Sequence, residues 1–135
     1  MERLAATGAH NFASIERVVF GQPAAAVIAA EATRLGSRRV FIVASRTLRT
    51  QTGVIRAIEE ALGERHAATF DGIPQHTTRS GVARATAAAL AAEADLVVAV
   101  GGGSVIDASK MVLLCMRHGM VDEHLEALER FEVKL

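Results

Sequence analysis

The sequence is short of aromatic residues. It has no tryptophan or tyrosine, and its five phenylalanines make up the whole aromatic fraction of 4%. The core must therefore be built from alanine, valine, isoleucine and leucine. Cysteine is also scarce, since Cys115 stands alone. A single cysteine excludes an intrachain disulfide framework and suits a reducing compartment, so we expect a cytoplasmic protein.

Neither sign of charge dominates, and no hydrophobic run is long. The chain has 15 Lys and Arg against 15 Asp and Glu, which gives a formal net charge of zero. This balance removes the bulk electrostatic case for binding nucleic acid or an anionic membrane surface. No apolar run reaches the roughly 18 residues that a membrane-spanning helix needs. The first residues also lack the basic and apolar regions of a signal peptide.

The length fits one packed domain. The chain has 135 residues, of which 50% are hydrophobic, and no linker rich in Ser, Gly or Pro divides it. We therefore place residues 1–135 in a single domain, and a complete two-domain enzyme is not expected at this length.

Short apolar runs alternate with helix-like stretches along the chain. Apolar runs bounded by Gly or Pro predict strands, and apolar spacings of three and four predict helices. Strands are predicted at Arg17–Phe20, Arg39–Ala44, His66–Phe70 and Asp95–Val100. Helices are predicted at Ala24–Leu35, at Gly53–Leu62, from Thr78 or Ser80 to Glu93, at Ser104–His118 and at Asp122–Phe131. Strict alternation predicts an α/β fold, with a Rossmann-like parallel sheet and helices on both of its faces.

The most informative segment is a glycine turn between the last predicted strand and the helix after it. Gly101, Gly102 and Gly103 are followed by Ser104 at the predicted helix start, and Asp107 lies one turn on. Glycine lets a ligand approach the bare backbone, and the N–H groups of a helix N terminus attract anions. This combination suits a phosphate or pyrophosphate. A tight turn without a ligand is the alternative interpretation.

Two well-known phosphate motifs do not match this turn. The dinucleotide fingerprint needs a third glycine where the chain has Ile106, and it normally follows the first strand, whereas this turn follows the fourth predicted strand. The P-loop needs Gly-Lys-Ser/Thr, which does not follow here.

The ten residues Gly101–Lys110, GGGSVIDASK, resemble the cofactor signature of the iron-containing alcohol dehydrogenase family, which includes maleylacetate reductases. The resemblance extends from about Phe12 to Leu135. It implies that the glycines and Ser104 bind the pyrophosphate of NAD(P)H and that Asp107 contacts the ribose on the nicotinamide side.

A second matching region follows the second predicted strand. The family often has an aspartate where this chain has Ser45, and a carboxylate there repels a 2′-phosphate. Ser45 removes that repulsion, and Arg46 beside it could pair with the phosphate, so we expect NADPH to be accepted, alone or alongside NADH. A solvated Arg46 is the alternative. By resemblance, Thr47 and Leu48 line the adenine pocket.

A third region, Phe70–Thr78, distinguishes subgroups of the family. Many of its alcohol dehydrogenases have Pro-Asn-Pro-Thr here, whereas this chain has His76 in the Asn position, as maleylacetate reductases often do. The Val-Ile-Asp that follows the glycine turn favours the other subgroup, so the substrate stays open. His76 either lines the cofactor cleft or stabilises the turn.

The metal ligands of the family are not found in this sequence. The resemblance implies iron or zinc bound by an aspartate, a histidine four residues later and two further histidines in a helical C-terminal domain, and no histidine here lies four residues after an aspartate. We therefore expect an incomplete domain, namely the N-terminal NAD(P)-binding part of a longer dehydrogenase that lacks its C-terminal domain. Such a part is expected to be inactive alone. It is expected either to self-associate, as a homo-oligomer, through the surface left uncovered, or to be stable only with its missing part. A non-catalytic nucleotide- or phosphate-binding module is the alternative function.

Overall fold

The structure is a computed structural model, and it describes residues 15–119. Three parallel strands form one sheet in the order β2-β1-β3. The strands are β1 (Val40–Ala44), β2 (His66–Phe70) and β3 (Leu96–Val100). The helices are α1 (Ala24–Arg34), α2 (Arg46–Gln51), α3 (Val54–Leu62), α4 (Arg79–Ala91) and α5 (Gly103–His118), and a 3₁₀ turn covers Gly63–Arg65.

Helices cover both faces of the sheet, which confirms the predicted architecture. Phe41 and Val43 point to one face and pack against α4 and α5. Val40, Ile42 and Ala44 point to the other and pack against α1 and α3. All five residues of β1 are buried. A nearly continuous apolar run is what a strand covered on both faces requires.

Small side chains bring the helices close to the sheet. Ala85 and Ala89 of α4 and Ala108 of α5 are fully buried beneath Phe41 and Val43. Cys115 lies in the same cluster, where burial raises the pKa of its thiol despite a hydrogen bond with Thr86. A protonated thiol in this position acts as a core side chain.

One predicted strand is wrong. Residues Arg17–Phe20 are not in a strand, and the side chains of Val18 and Phe20 are largely exposed. A strand needs a partner for its backbone, and none of the strands in residues 15–119 pairs with this segment. Ion pairs tether it instead, from Arg17 to Glu31 at 3.0 Å and from Glu16 to Arg34 at 2.8 Å. The glycine turn therefore follows the third described strand rather than a fourth.

The other boundaries agree closely with the sequence. Thr78 caps α4 by accepting a hydrogen bond from the N–H of Gly81 at 3.1 Å. Gly119 ends α5 with a positive φ of 63°. The short helix α2 was not predicted. The predicted helix Asp122–Phe131 lies outside the described residues.

A carboxylate joins β1 to β3 at their amino ends. Asp95 accepts hydrogen bonds from the Ser37 hydroxyl at 2.5 Å, the Arg38 N–H at 2.9 Å and the Arg39 N–H at 3.0 Å. Its own N–H donates to the Arg39 carbonyl at 2.9 Å. The hydrogen bond from Ser37, followed by those from the backbone, holds the pKa of this carboxyl below its usual value.

We predict that Asp95→Asn lowers the stability of the chain at neutral pH by about 1 kcal/mol. The amide oxygen replaces only one of the two accepting carboxylate oxygens, and the negative charge that strengthens the bonds is lost. A lowered folded-state pKa stabilises the protein above the unfolded pKa, and this contribution is lost as the pH falls through the folded value. The difference between variant and parent should therefore shrink in acid. Thermal melts of both proteins from neutral to acidic pH, with exposed Glu60→Gln as control, would test this. An equal difference at every pH would contradict it.

Candidate functional site

The order of the strands creates a crevice at one edge of the sheet. From β1 the chain passes to β2 on one side, and then to β3 on the other side of β1. The three strands are parallel, so their carboxyl ends lie at the same edge. In open α/β sheets, ligands bind outside the carboxyl ends at the place where the strand order reverses.

A cleft of about 690 Å³ lies at this edge. Its walls come from the segments that follow the three strands, together with one residue of α4. The lining residues are Ser45–Thr47 after β1, Asp71–Gln75 after β2, Gly102–Val105 after β3, and Arg84.

The glycine turn contributes both a tight packing position and open backbone. A Cβ on Gly101 would lie 3.0 Å from Val105 Cγ2 and 3.1 Å from Ser45 Cβ, and the φ of Gly101 is +156°. Gly101 thus lets the chain pass close to Ser45. A Cβ on Gly102 or Gly103 would meet nothing within 4 Å, so these two residues present bare backbone to the cleft.

The N terminus of α5 faces the same cleft. The first helical hydrogen bond joins the Ile106 N–H to the Gly102 carbonyl at 3.1 Å. The N–H groups of Gly103, Ser104 and Val105 precede that bond, and no side chain caps the helix. Peptide N–H groups and the positive end of the helix dipole favour an anion here.

Two hydrogen bonds connect this helix start to the loop after β2. The hydroxyl of Ser104 donates to the carbonyl oxygen of Gln75, and the hydroxyl of Thr77 donates to the Ser104 carbonyl at 3.0 Å. The loop after β2 is therefore attached to the helix whose first turn lines the cleft. The Ser104 hydroxyl, predicted to contact a pyrophosphate, is engaged by the chain itself.

Ser45 connects β1 to α2. Its N–H donates to the Val100 carbonyl at 2.9 Å, which extends the pairing of β1 with β3 by one residue. Its hydroxyl accepts from the Leu48 N–H at 3.4 Å and caps α2. The side chain of Leu48 packs on the apolar cluster of α1 and α3 and does not line the cleft.

Three charged residues meet at the rim of the cleft. The carboxylate of Asp71, directly after β2, pairs with Arg46 at 3.7 Å through Oδ1 and with Arg49 at 3.5 Å through Oδ2. Of these three residues, only Arg46 was assigned a role from the sequence. The signal that could have found Asp71 is its position at the end of a strand beside β1.

The predicted site residues divide into two groups. Of these residues, the cleft lining contains Ser45, Arg46, Thr47, Gly102, Gly103 and Ser104. The other four do not line it. Gly101 lies close to Val105 and Ser45, Leu48 packs against the core cluster, and the side chains of His76 and Asp107 are exposed. Their proposed contacts with a cofactor stay predictions.

Neither a metal-binding cluster nor a membrane-spanning helix is found in the part of the chain that the structure describes. Within residues 15–119, no group of three or more His, Cys, Asp or Glu could hold a metal ion. Over the same range, no helix is both long and apolar enough to cross a membrane.

Two of the proteins that this chain is similar to are maleylacetate reductases. The maleylacetate reductase 2 of Cupriavidus pinatubonensis is 40% identical over 104 residues, which cover 77% of this chain and 28% of the relative. The crystal structure of a maleylacetate reductase from Agrobacterium tumefaciens superposes with a TM-score of 0.67 at 32% identity, over 76% of this chain and 29% of that one.

A third similar protein is a butanol dehydrogenase rather than a maleylacetate reductase. The structure of NADH-dependent butanol dehydrogenase A from Thermotoga maritima matches with a TM-score of 0.59 at 25% identity, over 72% of this chain and 27% of that one. The chain thus spans less than a third of each of these three proteins.

The sequence model of one family extends over almost the whole chain. Its description is iron-containing alcohol dehydrogenase, and the match runs from residue 16 to residue 134. It includes every element that lines the cleft. The chain therefore belongs to the iron-containing alcohol dehydrogenase family.

Proposed function

We propose that the chain binds a nicotinamide dinucleotide in the cleft, as the cofactor-binding part of an oxidoreductase that interconverts an alcohol and a carbonyl compound. The observation that carries this proposal is the convergence of three strand ends and the open glycine turn on one cleft. The family supplies the class of reaction. The chain covers 28% of the maleylacetate reductase 2 of Cupriavidus pinatubonensis. We therefore propose the oxidoreductase activity for a complete enzyme that contains this part.

The residues present fit a dinucleotide. The cleft, at about 690 Å³, lies within the range of about 300–1,000 Å³ typical of small-molecule sites. The pyrophosphate would lie against the backbone of Gly102 and Gly103, where no Cβ blocks its approach. Ser104 would add a hydroxyl donor by exchanging its bond to Gln75 for one to the ligand.

The chain's own contribution to the reaction is binding and orientation. The dinucleotide supplies or accepts the hydride when it is bound. Fixing its pyrophosphate on the α5 helix start and its adenosine end near α2 sets the direction in which the nicotinamide points. By the family resemblance, Asp107 would hold the ribose next to the nicotinamide.

Residues 15–119 contain no set of ligands for the iron that the family's description names. We therefore propose metal assistance for the complete enzyme only, with ligands from outside this range.

The residue after β1 does not exclude a cofactor with a 2′-phosphate. Ser45 brings no negative charge to the position after β1, and Arg46 lines the cleft with 69% of its side chain exposed. We propose that NADPH is accepted alongside NADH.

Calorimetric titration of the purified chain with NADH and with NADPH tests the binding function. We expect saturable binding of at least one of them, because the cleft is already formed and the uncapped start of α5 lines it. If a chain that melts cooperatively gives no heat of binding with either dinucleotide, the proposal is overturned.

Activity can be tested in a chimera. The 104-residue segment of the Cupriavidus maleylacetate reductase 2 that matches this chain would be replaced by the corresponding segment of this chain. The loss of NADH fluorescence would be followed after maleylacetate is added. We expect turnover. A folded chimera that binds NADH without turnover would leave the chain as a non-catalytic nucleotide-binding module.

Substitution of two glycines of the turn by alanine should have different effects, one on cofactor binding and the other on stability. We predict that Gly103→Ala keeps the melting temperature of the parent but weakens NADH binding at least about tenfold, because its Cβ fills space needed by the pyrophosphate. Gly101→Ala should instead destabilise the fold by about 1–3 kcal/mol through its contacts with Val105 and Ser45.

Gly53→Ala is the matched control, since a Cβ there also meets nothing within 4 Å and the residue does not line the cleft. Melting curves and NADH titrations of the three variants give the comparison. Unchanged affinity in Gly103→Ala would argue against pyrophosphate binding at the turn.

Arg46→Ala should weaken NADPH binding by about tenfold and change NADH binding little, because removing an arginine costs a charge-assisted bond to phosphate. Titrations with both dinucleotides measure the two affinities. Equal affinities for each cofactor in variant and parent would remove this role of Arg46.

A further inference from the structure

We propose that Asp71 selects between the two dinucleotides at the adenosine ribose. Its carboxylate accepts a hydrogen bond from the 2′-hydroxyl of NADH, and it releases Arg46 and Arg49 to the 2′-phosphate of NADPH. This inference rests on the proposed function, and it assigns a role to two residues that the sequence patterns did not single out.

The strand register puts Asp71 beside the end of β1. Val43 pairs with Phe70 in the β1–β2 ladder, so Ala44 and Asp71 are the next residues on neighbouring strands. Neighbouring strands lie about 4.8 Å apart. Asp71 therefore lies next to the segment Ser45–Thr47, which lines the same cleft.

In NAD-binding α/β folds, the strand beside the one that carries the glycine turn commonly ends in a carboxylate that binds the adenosine ribose. This chain has Ser45 at that position, and its hydroxyl is engaged in capping α2. The carboxylate of Asp71, with 23% of its side chain exposed, supplies an acceptor from the adjacent strand instead. A ribose 2′-hydroxyl is a matching donor.

The two arginines are paired with Asp71 but not tightly bound to it. Their distances to its oxygens are 3.7 and 3.5 Å, longer than the roughly 3.2 Å limit of a direct N–H···O hydrogen bond. Arg46 and Arg49 expose 69% and 41% of their side chains. Small side-chain movements could therefore turn both guanidinium groups towards a ligand.

The charges favour phosphate when it is present. Asp71, Arg46 and Arg49 together carry a formal charge of +1 at the rim. A phosphate monoester carries about −1.5 to −2 at neutral pH and three strong acceptor oxygens, so it attracts the arginines more strongly than one carboxylate does. Asp71 repels that phosphate, which places the arginines between the two anions.

Opposite changes in selectivity distinguish this role from a structural one. We expect Asp71→Asn to shift the ratio of affinities towards NADPH by about tenfold, because it removes the repulsion and frees the arginines. Arg49→Gln should shift the same ratio towards NADH by a similar factor. Fluorescence titrations of the purified variants with NADH and NADPH, after melting curves confirm that they fold, measure the ratio.

Glu60→Gln and Arg56→Gln serve as matched controls, because these residues form an exposed pair at 2.9 Å and do not line the cleft. Both should leave the ratio unchanged. If the parent binds both dinucleotides and the Asp71 and Arg49 variants leave the ratio unchanged, or shift it in the same direction, this inference is overturned and the proposed function stands. If the parent binds neither dinucleotide, both this inference and the proposed function are overturned.

Discussion

Strand β1 has no access to water for its backbone, because helices cover both faces of the sheet and all five of its residues are buried. Its N–H and C=O groups must therefore be paired with strands on both sides. That requirement places β2 on one side and β3 on the other, parallel to β1 and in fixed register. The meeting of three strand ends at one edge, and hence the cleft, follows from it.

The helix α5 serves both the core and the cleft. Val105, Ala108, Val112 and Cys115 bury one side of the helix against the sheet, which fixes its axis. Its first turn consequently lies at the sheet edge, with the peptide N–H groups directed to the cleft. The hydrogen bonds between Ser104, Gln75 and Thr77 join the loop after β2 to this same turn. Packing in the core thus determines the electrostatics of the site.

Much of the fold could be predicted because burial leaves a pattern in the sequence. The apolar runs of β1 and β3 and the helix-ending Gly119 were identified correctly. The segment Arg17–Phe20 has a strand-like composition, but composition does not reveal whether a partner strand is available. The helix α2 was not predicted because its six residues are mostly polar and only the Ser45 cap marks its start.

The site could be predicted only where the relevant residues are neighbours in the sequence. The glycine turn was predicted from its own residues and Ser45–Thr47 from the family resemblance. The structure places all of these residues except Gly101 along the cleft. Asp71 was missed because its significance comes from a pairing with Arg46 and Arg49, more than twenty residues earlier in the sequence. His76 and Asp107 were assigned by resemblance, and their side chains lie outside the cleft lining.

The Asp95 hydrogen bonds lie at the opposite end of the sheet from the cleft, and this separation has an evolutionary consequence. By joining the backbone that precedes β1 to the start of β3, Asp95 helps to set the strand register without any residue of the cleft. Side chains at the carboxyl edge are then free to change without shifting one strand against the other. Such a division would let related chains exchange one cofactor or substrate preference for another while the same sheet persists.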